Sequence, residues 1–248
     1  MKYFIPIWSI VLFCGCAKED RYLKMYPFFK NVSVHKEDGT VILNNFNSEN
    51  PKEGLEYLID TAGFLIEARF YKKNYLNGYT ARYSRKGKIS LLGYMSNDTL
   101  NGDYFVFDTL SSSIKQYREY LNMNGQTTVN QIISFSNGKI NYNASSFFRI
   151  KKIESELYRI TLFSNFRNPF LAAYYCSSDV IEHDFYKDNY SDTIVGSNGN
   201  YIDLNVRDPK KFVKGYFINY RLATAEEIKQ GAIKDDKIGP VIYFKFPL

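Results

Sequence analysis

Residues 63–70, Gly63-Phe64-Leu65-Ile66-Glu67-Ala68-Arg69-Phe70, decide the fold of the first half of the chain, because their pattern returns one period later. Gly39, Gly63 and Gly87 stand 24 residues apart, with Ser111 in the fourth place. Val41, Leu65 and Ile89 keep that spacing, as do Phe46, Phe70 and Tyr94, and Gly54, Gly78 and Gly102. Ile59, Tyr83 and Phe107 complete the register, and Leu76-Asn77-Gly78 recurs as Leu100-Asn101-Gly102. Agreement in five columns marks an array of equivalent structural units.

One unit reads as a β-hairpin. Two glycines per period supply the positive-φ positions of tight turns, and Asn before Gly favours the hairpin turn itself. Between turns, Phe64, Ile66, Ala68 and Phe70 alternate with Leu65, Glu67 and Arg69 and are expected on one face. Two strands of about seven residues and two turns fill the period. A lone hairpin cannot bury its apolar face, whereas stacked hairpins can. The expected result is an elongated, antiparallel, single-layer sheet over residues 34–126.

This pattern of aromatic, Gly-x-Leu and Asn-Gly resembles the MORN-like repeats of the YwqK type. The resemblance covers under half of the chain and implies an architecture rather than a ligand. Some members of that family are labelled antitoxins. The fourth unit departs from it, with Ser111-Ser112-Ser113 in place of Gly-x-Leu, and is expected to be a degenerate edge repeat.

From about Thr127 the period is lost. Phe135-Ser136-Asn137-Gly138-Lys139-Ile140 echoes a repeat turn at the wrong spacing. Strand-like runs follow at Leu157–Phe163, Phe170–Cys176, Tyr201–Val206, Gly215–Leu222 and Val241–Phe246. Several short strands at irregular spacing predict a β-sandwich-like domain over 127–248. Thr224-Ala225-Glu226-Glu227 is a capping box and opens a short helix stopping at Gly231. The polar stretch Asp184–Gly199 reads as exposed loop. The fold class is therefore all-β.

The first residues state a location. Lys2 is a positive n-region and Tyr3 to Phe13 an apolar h-region, far short of the roughly 20 residues that span a bilayer. Phe13-Cys14-Gly15-Cys16 resembles a bacterial lipobox, which implies a leader over 1–15, acylation of Cys16 and a tether over 16–33. Lys18-Glu19-Asp20 is similar to the signal that sends Bacteroidota lipoproteins to the outer face of the outer membrane. The alternative is an ordinary secretory leader cleaved to give a soluble protein; the expected partner is a membrane, reached through a lipid anchor.

Composition agrees with that compartment. Aromatics make up 17% of the chain, with 22 Tyr and 20 Phe, and such residues favour pleated, half-wet surfaces. Removal of the leader would leave no tryptophan, and Cys176 would have no partner for an intramolecular disulfide. The formal charge of +6 is scattered, and the doublets Lys151-Lys152 and Lys210-Lys211 are too short to track phosphates. Nucleic acid is not an expected partner.

Chemistry is sparsely written. Asp179, Glu182, His183 and Asp184 form the densest group of potential ligands and could bind a cation or act as an acid–base pair. No second motif supplies further ligands, so a hydrated loop is the expected reading, with neither metal nor cofactor. His35 falls in the repeat register. Cys176, between Tyr175 and Ser177, reads as a buried, inert thiol. Asp188-Asn189-Tyr190-Ser191-Asp192 suggests a calcium loop until Tyr190 breaks the ligand alternation.

The pattern Asp-Thr-aliphatic recurs four times, at Thr61, Thr99, Thr109 and Thr193, and resembles the Bacteroidota O-glycosylation sequon. Asp-Thr is also good turn-to-strand chemistry, and Asp60 and Asp108 occupy equivalent repeat positions. Nucleophile motifs and phosphate loops are absent from the sequence. The expected function is non-enzymatic: a surface binding or scaffold protein whose partner is a glycan or a protein. An immunity-type inhibitor is the second expectation, resting on the family label. A hydrolase acting through the Asp179–Asp184 group is the third.

Overall fold

The computed structural model describes residues 33–37, 39–44, 46, 51–123, 125–164, 170–178, 192–197, 200–206, 210–229, 237–238 and 241–248. The chain forms two compact units that divide between Ser113 and Ile114. β9 and the start of β10, introduced below, therefore belong to the second unit, although the sequence reading carries the repeat sheet to residue 126.

In the first unit lie β1 (Ser33–Glu37), β2 (Thr40–Asn44), β3 (Gly54–Asp60), β4 (Leu65–Lys72), β5 (Tyr75–Leu76), β6 (Gly78–Tyr83), β7 (Ile89–Ser96) and β8 (Thr99–Phe107). They form one antiparallel sheet in the order β1-β2-β3-β4-β6-β7-β8, with β5 a short extension against β4. This is the expected hairpin array.

The turns differ from the expected ones. Lys73 (φ 52°) with Asn74 (72°), and Asn97 (49°) with Asp98 (62°), are paired positive-φ positions one period apart. They close the hairpins, as two-residue turns of mirror-image twist do. The Asn-Gly doublets instead interrupt strand pairing just after those turns. Gly78 (φ 120°) and Gly102 (φ 96°) hold conformations that an L side chain rarely adopts. Across Gly78 the pairing steps from Tyr71 opposite Leu76 to Ala68 opposite Ala81, and Asn77 N–H donates to the Phe70 carbonyl at 2.9 Å. The doublets build bulges.

A second bulge recurs with the period. Leu58 opposes Glu67 but Ile59 opposes Leu65, and Arg82 opposes Leu91 but Tyr83 opposes Ile89. Ile66 and Ser90 are the extra residues. The expected single face of Phe64, Ile66, Ala68 and Phe70 is therefore broken. Leu65 turns inward to pack with Ile59, Val41 and Leu43, while Phe64 and Ile66 stay exposed. In the fourth unit the turn is one residue longer. Asp60 N–H bonds the Phe64 carbonyl and Ser84 that of Lys88, but Asp108 reaches Ser113. Positive φ accordingly falls on Ser112 rather than Ser111.

The second unit contains β9 (Ile114–Met123), β10 (Gln126–Ser136), β11 (Lys139–Ile140), a 3₁₀ turn (Tyr142–Ala144), β12 (Ser146–Lys152) and β13 (Leu157–Ser164). After these come β14 (Phe170–Ser178), β15 (Asp192–Ser197), β16 (Tyr201–Asn205), β17 (Phe212–Leu222), α1 (Ala225–Lys229), β18 (Lys237–Ile238) and β19 (Val241–Pro247). Asn137 and Gly138, both at positive φ, close the β10–β11 hairpin. β15 replaces part of the loop expected over 184–199, because Thr193, Ile194 and Val195 favour a strand and pair with β14.

One sheet runs β9-β10-β12-β13-β16, and the other β15-β14-β17 with β18 and β19 both on β17. Alternate residues Tyr158, Ile160 and Leu162 of β13 share a buried core with Leu171 and Ala173 of β14 and Ile242, Phe244 and Phe246 of β19. Two sheets whose inner faces meet in this way are the expected β-sandwich. No side chain fits at Gly215, where a Cβ would collide with the Tyr174 carbonyl oxygen and lie 2.8 Å from Phe244 Cζ. The capping box forms: Glu227 N–H donates to Thr224 Oγ1 (3.3 Å), and Thr224 N–H to Glu227 Oε2 (2.9 Å).

Candidate binding surface on the repeat sheet

Register and pleat separate the repeat sheet into two chemically distinct faces. On one, Leu43, Tyr57, Ala68, Ala81, Leu92 and Phe105 lie opposite one another in turn across β2, β3, β4, β6, β7 and β8. Leu55 pairs with Phe70, and Tyr79 with Tyr94, on the same face. The Tyr79 and Tyr94 rings meet edge-on at 5.2 Å. At the β2–β3 end the face is closed by the cluster of Val41, Leu43 and Ile59. Beyond it the side chains open to solvent: Leu55 is 39% exposed, Phe70 36% and Tyr79 55%. Leu55, Phe70 and Tyr79 thus present exposed apolar and aromatic side chains on the same face of the sheet.

The other face carries charge. Glu56 on β3 lies opposite Arg69 on β4, and Glu67 on β4 opposite Arg82 on β6. Glu56 to Arg69 is 3.6 Å, Arg69 to Glu67 3.2 Å, and Glu67 to Arg82 3.5 Å. Both carboxylates are buried. Burial works against the charge on Arg69, but hydrogen bonding to Glu67 and Tyr71 outweighs it and raises the guanidinium pKa. Burial raises the Tyr71 phenol, with Glu56 adding and Arg69 opposing. Tyr71 meets Phe46 edge-on at 5.6 Å, and Lys52 Nζ stands 5.5 Å over its ring.

The hairpins are stapled by the side chains of their turns. Asn74 Oδ1 accepts from Lys52 N–H at 2.6 Å, while Asn74 N–H donates to the Lys52 carbonyl at 3.0 Å. One period on, Asp98 repeats both bonds with Leu76, at 2.6 and 3.0 Å. The staple fixes the spacing of successive hairpins, and hence of the aromatic side chains they display.

A second aromatic row lies on the face of the C-terminal sheet away from Phe217 and Phe244, where Ala172, Lys214 and Tyr220 are themselves buried. Tyr174, Tyr216 and Tyr243 stand opposite one another across β14, β17 and β19. Tyr174 stacks on Tyr216 at 5.0 Å, and Tyr216 meets Tyr243 at 5.8 Å. Lys214 and Lys245 form the next row. Burial lowers the Lys245 pKa, Lys214 adds to the effect, and Glu119 opposes it.

Most residues singled out in the sequence for chemistry or anchoring lie outside the described residues: Cys16, Lys18, Glu19, Asp20, Asp179, Glu182, His183 and Asp184. His35 lies on β1 and Thr193 on β15. Cys176 is buried and reduced. Thr61 is exposed and Thr99 and Thr109 half-buried, each after an aspartate that the fold uses. Asp60 Oδ1 accepts from Ala62 and Phe64 N–H (3.0 and 2.8 Å), Asp108 Oδ1 from Leu110 and Ser111 (2.7 and 3.2 Å), and Asp98 closes a staple. Turn chemistry therefore accounts for these three aspartates. Among the described residues no group of three His, Cys, Asp or Glu is placed to hold a metal ion, and no helix is long and apolar enough to cross a membrane.

Fold and surface together define an all-β protein made of a hairpin-repeat sheet and a β-sandwich. No family model, curated protein or solved structure matches the chain.

Proposed function

We propose that this protein is a non-enzymatic binding or scaffold lipoprotein of the outer membrane, with MORN-like repeats, anchored through acylated Cys16 and displayed on the cell surface. Its repeat sheet offers the apolar, aromatic face to a protein or glycan partner. The observation that carries this reading is the row from Leu43 to Phe105, with Leu55, Phe70 and Tyr79 open to solvent beside it. Aromatic side chains presented on a rigid sheet supply contact area at little cost in conformational freedom. The staples at Asn74 and Asp98 provide that rigidity.

The test is a pull-down from envelope extracts with the chain from Cys16 onward, against a Phe70→Ser/Tyr79→Ser double variant. The expected result is one or a few partners held by the parent and lost by the variant, with unchanged strand-dominated circular dichroism. Equal capture by both proteins would overturn the assignment of the face. Turnover of any envelope substrate that disappears in His183→Ala would overturn the non-enzymatic reading.

A further inference from the structure

Asp60, Ser84 and Asp108 open three turns of the repeat array, one period apart. The first two turns share one backbone. Asp60 N–H donates to the Phe64 carbonyl at 2.9 Å, and Ser84 N–H to that of Lys88 at 2.8 Å. Gly63 N–H reaches the Asp60 carbonyl at 3.0 Å, and Gly87 N–H that of Ser84 at 2.9 Å. Gly63 and Gly87 both hold positive φ, at 94° and 72°.

The turns differ in what satisfies their remaining donors. Asp60 Oδ1 accepts from two of them, Ala62 N–H at 3.0 Å and Phe64 N–H at 2.8 Å. Asp108 Oδ1 likewise accepts from Leu110 and Ser111 N–H at 2.7 and 3.2 Å. The equivalents of Ala62 and Phe64 in the middle turn are Lys86 and Lys88. Among the described residues, neither of their N–H groups has an acceptor. A serine side chain is one bond too short to replace the aspartate, and Ser84 Oγ makes no hydrogen bond. Convergent backbone N–H groups in a turn form a concavity that attracts anions.

The side chains of this turn supply the matching charge. Arg85, Lys86 and Lys88 stand where the preceding turn has Thr61, Ala62 and Phe64. Among the described residues none of the three cations is in an ion pair, and Lys88 Nζ is held at 2.6 Å by the Leu110 carbonyl. Asp60 and Asp108, on the flanking turns, are each bonded within their own turn. The middle turn is also open. Arg85, Lys86 and Gly87 are exposed, and a Cβ added at Gly87 would meet nothing within 4 Å.

We propose that the turn Ser84–Lys88 is a binding site for a carboxylate group supplied from outside the turn. One of its oxygens takes the place that Asp60 Oδ1 holds one period earlier, bridging Lys86 N–H and Lys88 N–H. Arg85 and Lys86 provide the opposing charge. The ligand class follows from the sibling turn, where a carboxylate oxygen satisfies the same two donors. The site rests on neither the lipid anchor nor the apolar face of the sheet.

Amide NMR of the chain from Cys16 onward tests this with sodium acetate, sodium sulfate and sodium chloride at one ionic strength. Acetate should shift the Lys86 and Lys88 amide protons saturably, leave those of Ala62 and Phe64 in place, and outbind sulfate. Ser84→Asp and Ser84→Asn each supply an internal oxygen to the two donors, so both should weaken acetate binding at least tenfold. The neutral Ser84→Asn separates occupation of the site from charge repulsion. Arg85→Gln/Lys86→Gln should weaken binding while the same two amides still respond. The proposal is overturned if acetate moves neither amide, if Ala62 and Phe64 respond equally, or if sulfate binds more tightly. Acetate binding by Ser84→Asn that equals the parent's overturns it as well, because the cations alone would then hold the anion. Phe70→Ser/Tyr79→Ser should bind acetate like the parent, so the apolar-face reading stands or falls separately.

Discussion

Asn130, the bulged residue of β10, pairs through its side-chain amide with both backbone groups of Tyr243 on β19. Its Oδ1 accepts from Tyr243 N–H at 2.8 Å and its Nδ2 donates to the Tyr243 carbonyl at 2.9 Å. The bulge is visible in the register, which steps from Val129 opposite Tyr120 to Gln131 opposite Glu119. One side chain thus substitutes for a missing strand at β19 and joins the two sheets of the sandwich. Glu119 Oε2 holds the bracket by accepting from Asn130 and Gln131, both at 2.7 Å. Asn130→Ala leaves a backbone donor and acceptor of Tyr243 without this partner, and should lower unfolding stability by about 1–3 kcal/mol in chemical denaturation. Asn130→Asp, which keeps only the acceptor, should also destabilise; if both variants match the parent, the bracket contributes nothing.

Two glycines should respond very differently to a methyl group. At Gly78 an added Cβ meets only ordinary contacts with Phe70, the nearest at 3.5 Å, so the penalty for Gly78→Ala comes from φ alone. That is about 1–3 kcal/mol. At Gly215 the backbone needs no positive φ, yet the Cβ would strike the Tyr174 carbonyl and Phe244. Gly215→Ala should cost more than about 4 kcal/mol or abolish folding of the sandwich. Parallel urea titrations check the order, and the reverse order would contradict both assignments.

What could be read beforehand follows from how local each signal is. Period, glycine spacing, the strand runs of the sandwich and the Thr224–Glu227 cap depend on residues close in sequence, and all appear as expected in kind. Which Asn-Gly is a turn and which a bulge was not legible, because Asn and Asp also tolerate left-handed conformations and Lys73-Asn74 carries no glycine. One extra residue at Ile66 turned Leu65 inward and left Phe64 outside, a change no alternation count detects. Asn130 and Tyr243 lie 113 residues apart, so their bracket leaves no local trace. The row of Glu56, Arg69, Glu67 and Arg82 becomes visible only once the register is known, and each of these residues alone reads as ordinary surface charge.

Glu227 should titrate far below an ordinary glutamate. Arg221 donates to both of its oxygens (3.0 and 2.7 Å), and Thr224 adds its backbone N–H, holding the carboxyl at about 2 rather than 4.5. The folded value lies below the unfolded one. The cap's stabilisation is therefore fully present above pH of about 4.5 and is lost as pH falls through about 2. Carbon-detected NMR titration of the Glu227 carboxyl reads this directly. Arg221→Gln removes the largest cause and should move the midpoint up towards 4.5, and an unmoved midpoint would assign the shift to Thr224 alone.

The proposed anchor makes the last prediction, and it concerns chemistry rather than packing. Acylation requires the thiol of Cys16 as the new first residue, so Cys16→Ala should abolish incorporation of a fatty-acid analogue in growing cells. A single acyl chain binds a bilayer only marginally, whereas several chains on one residue hold it firmly. The unlabelled variant should therefore shift from the membrane to the soluble fraction. Lys18, Glu19 and Asp20 replaced together by alanine should leave labelling intact but protect the protein from protease added to whole cells. That combination separates anchoring from display: equal labelling of Cys16→Ala and the parent refutes the anchor, and equal protease access in the triple variant refutes the export signal.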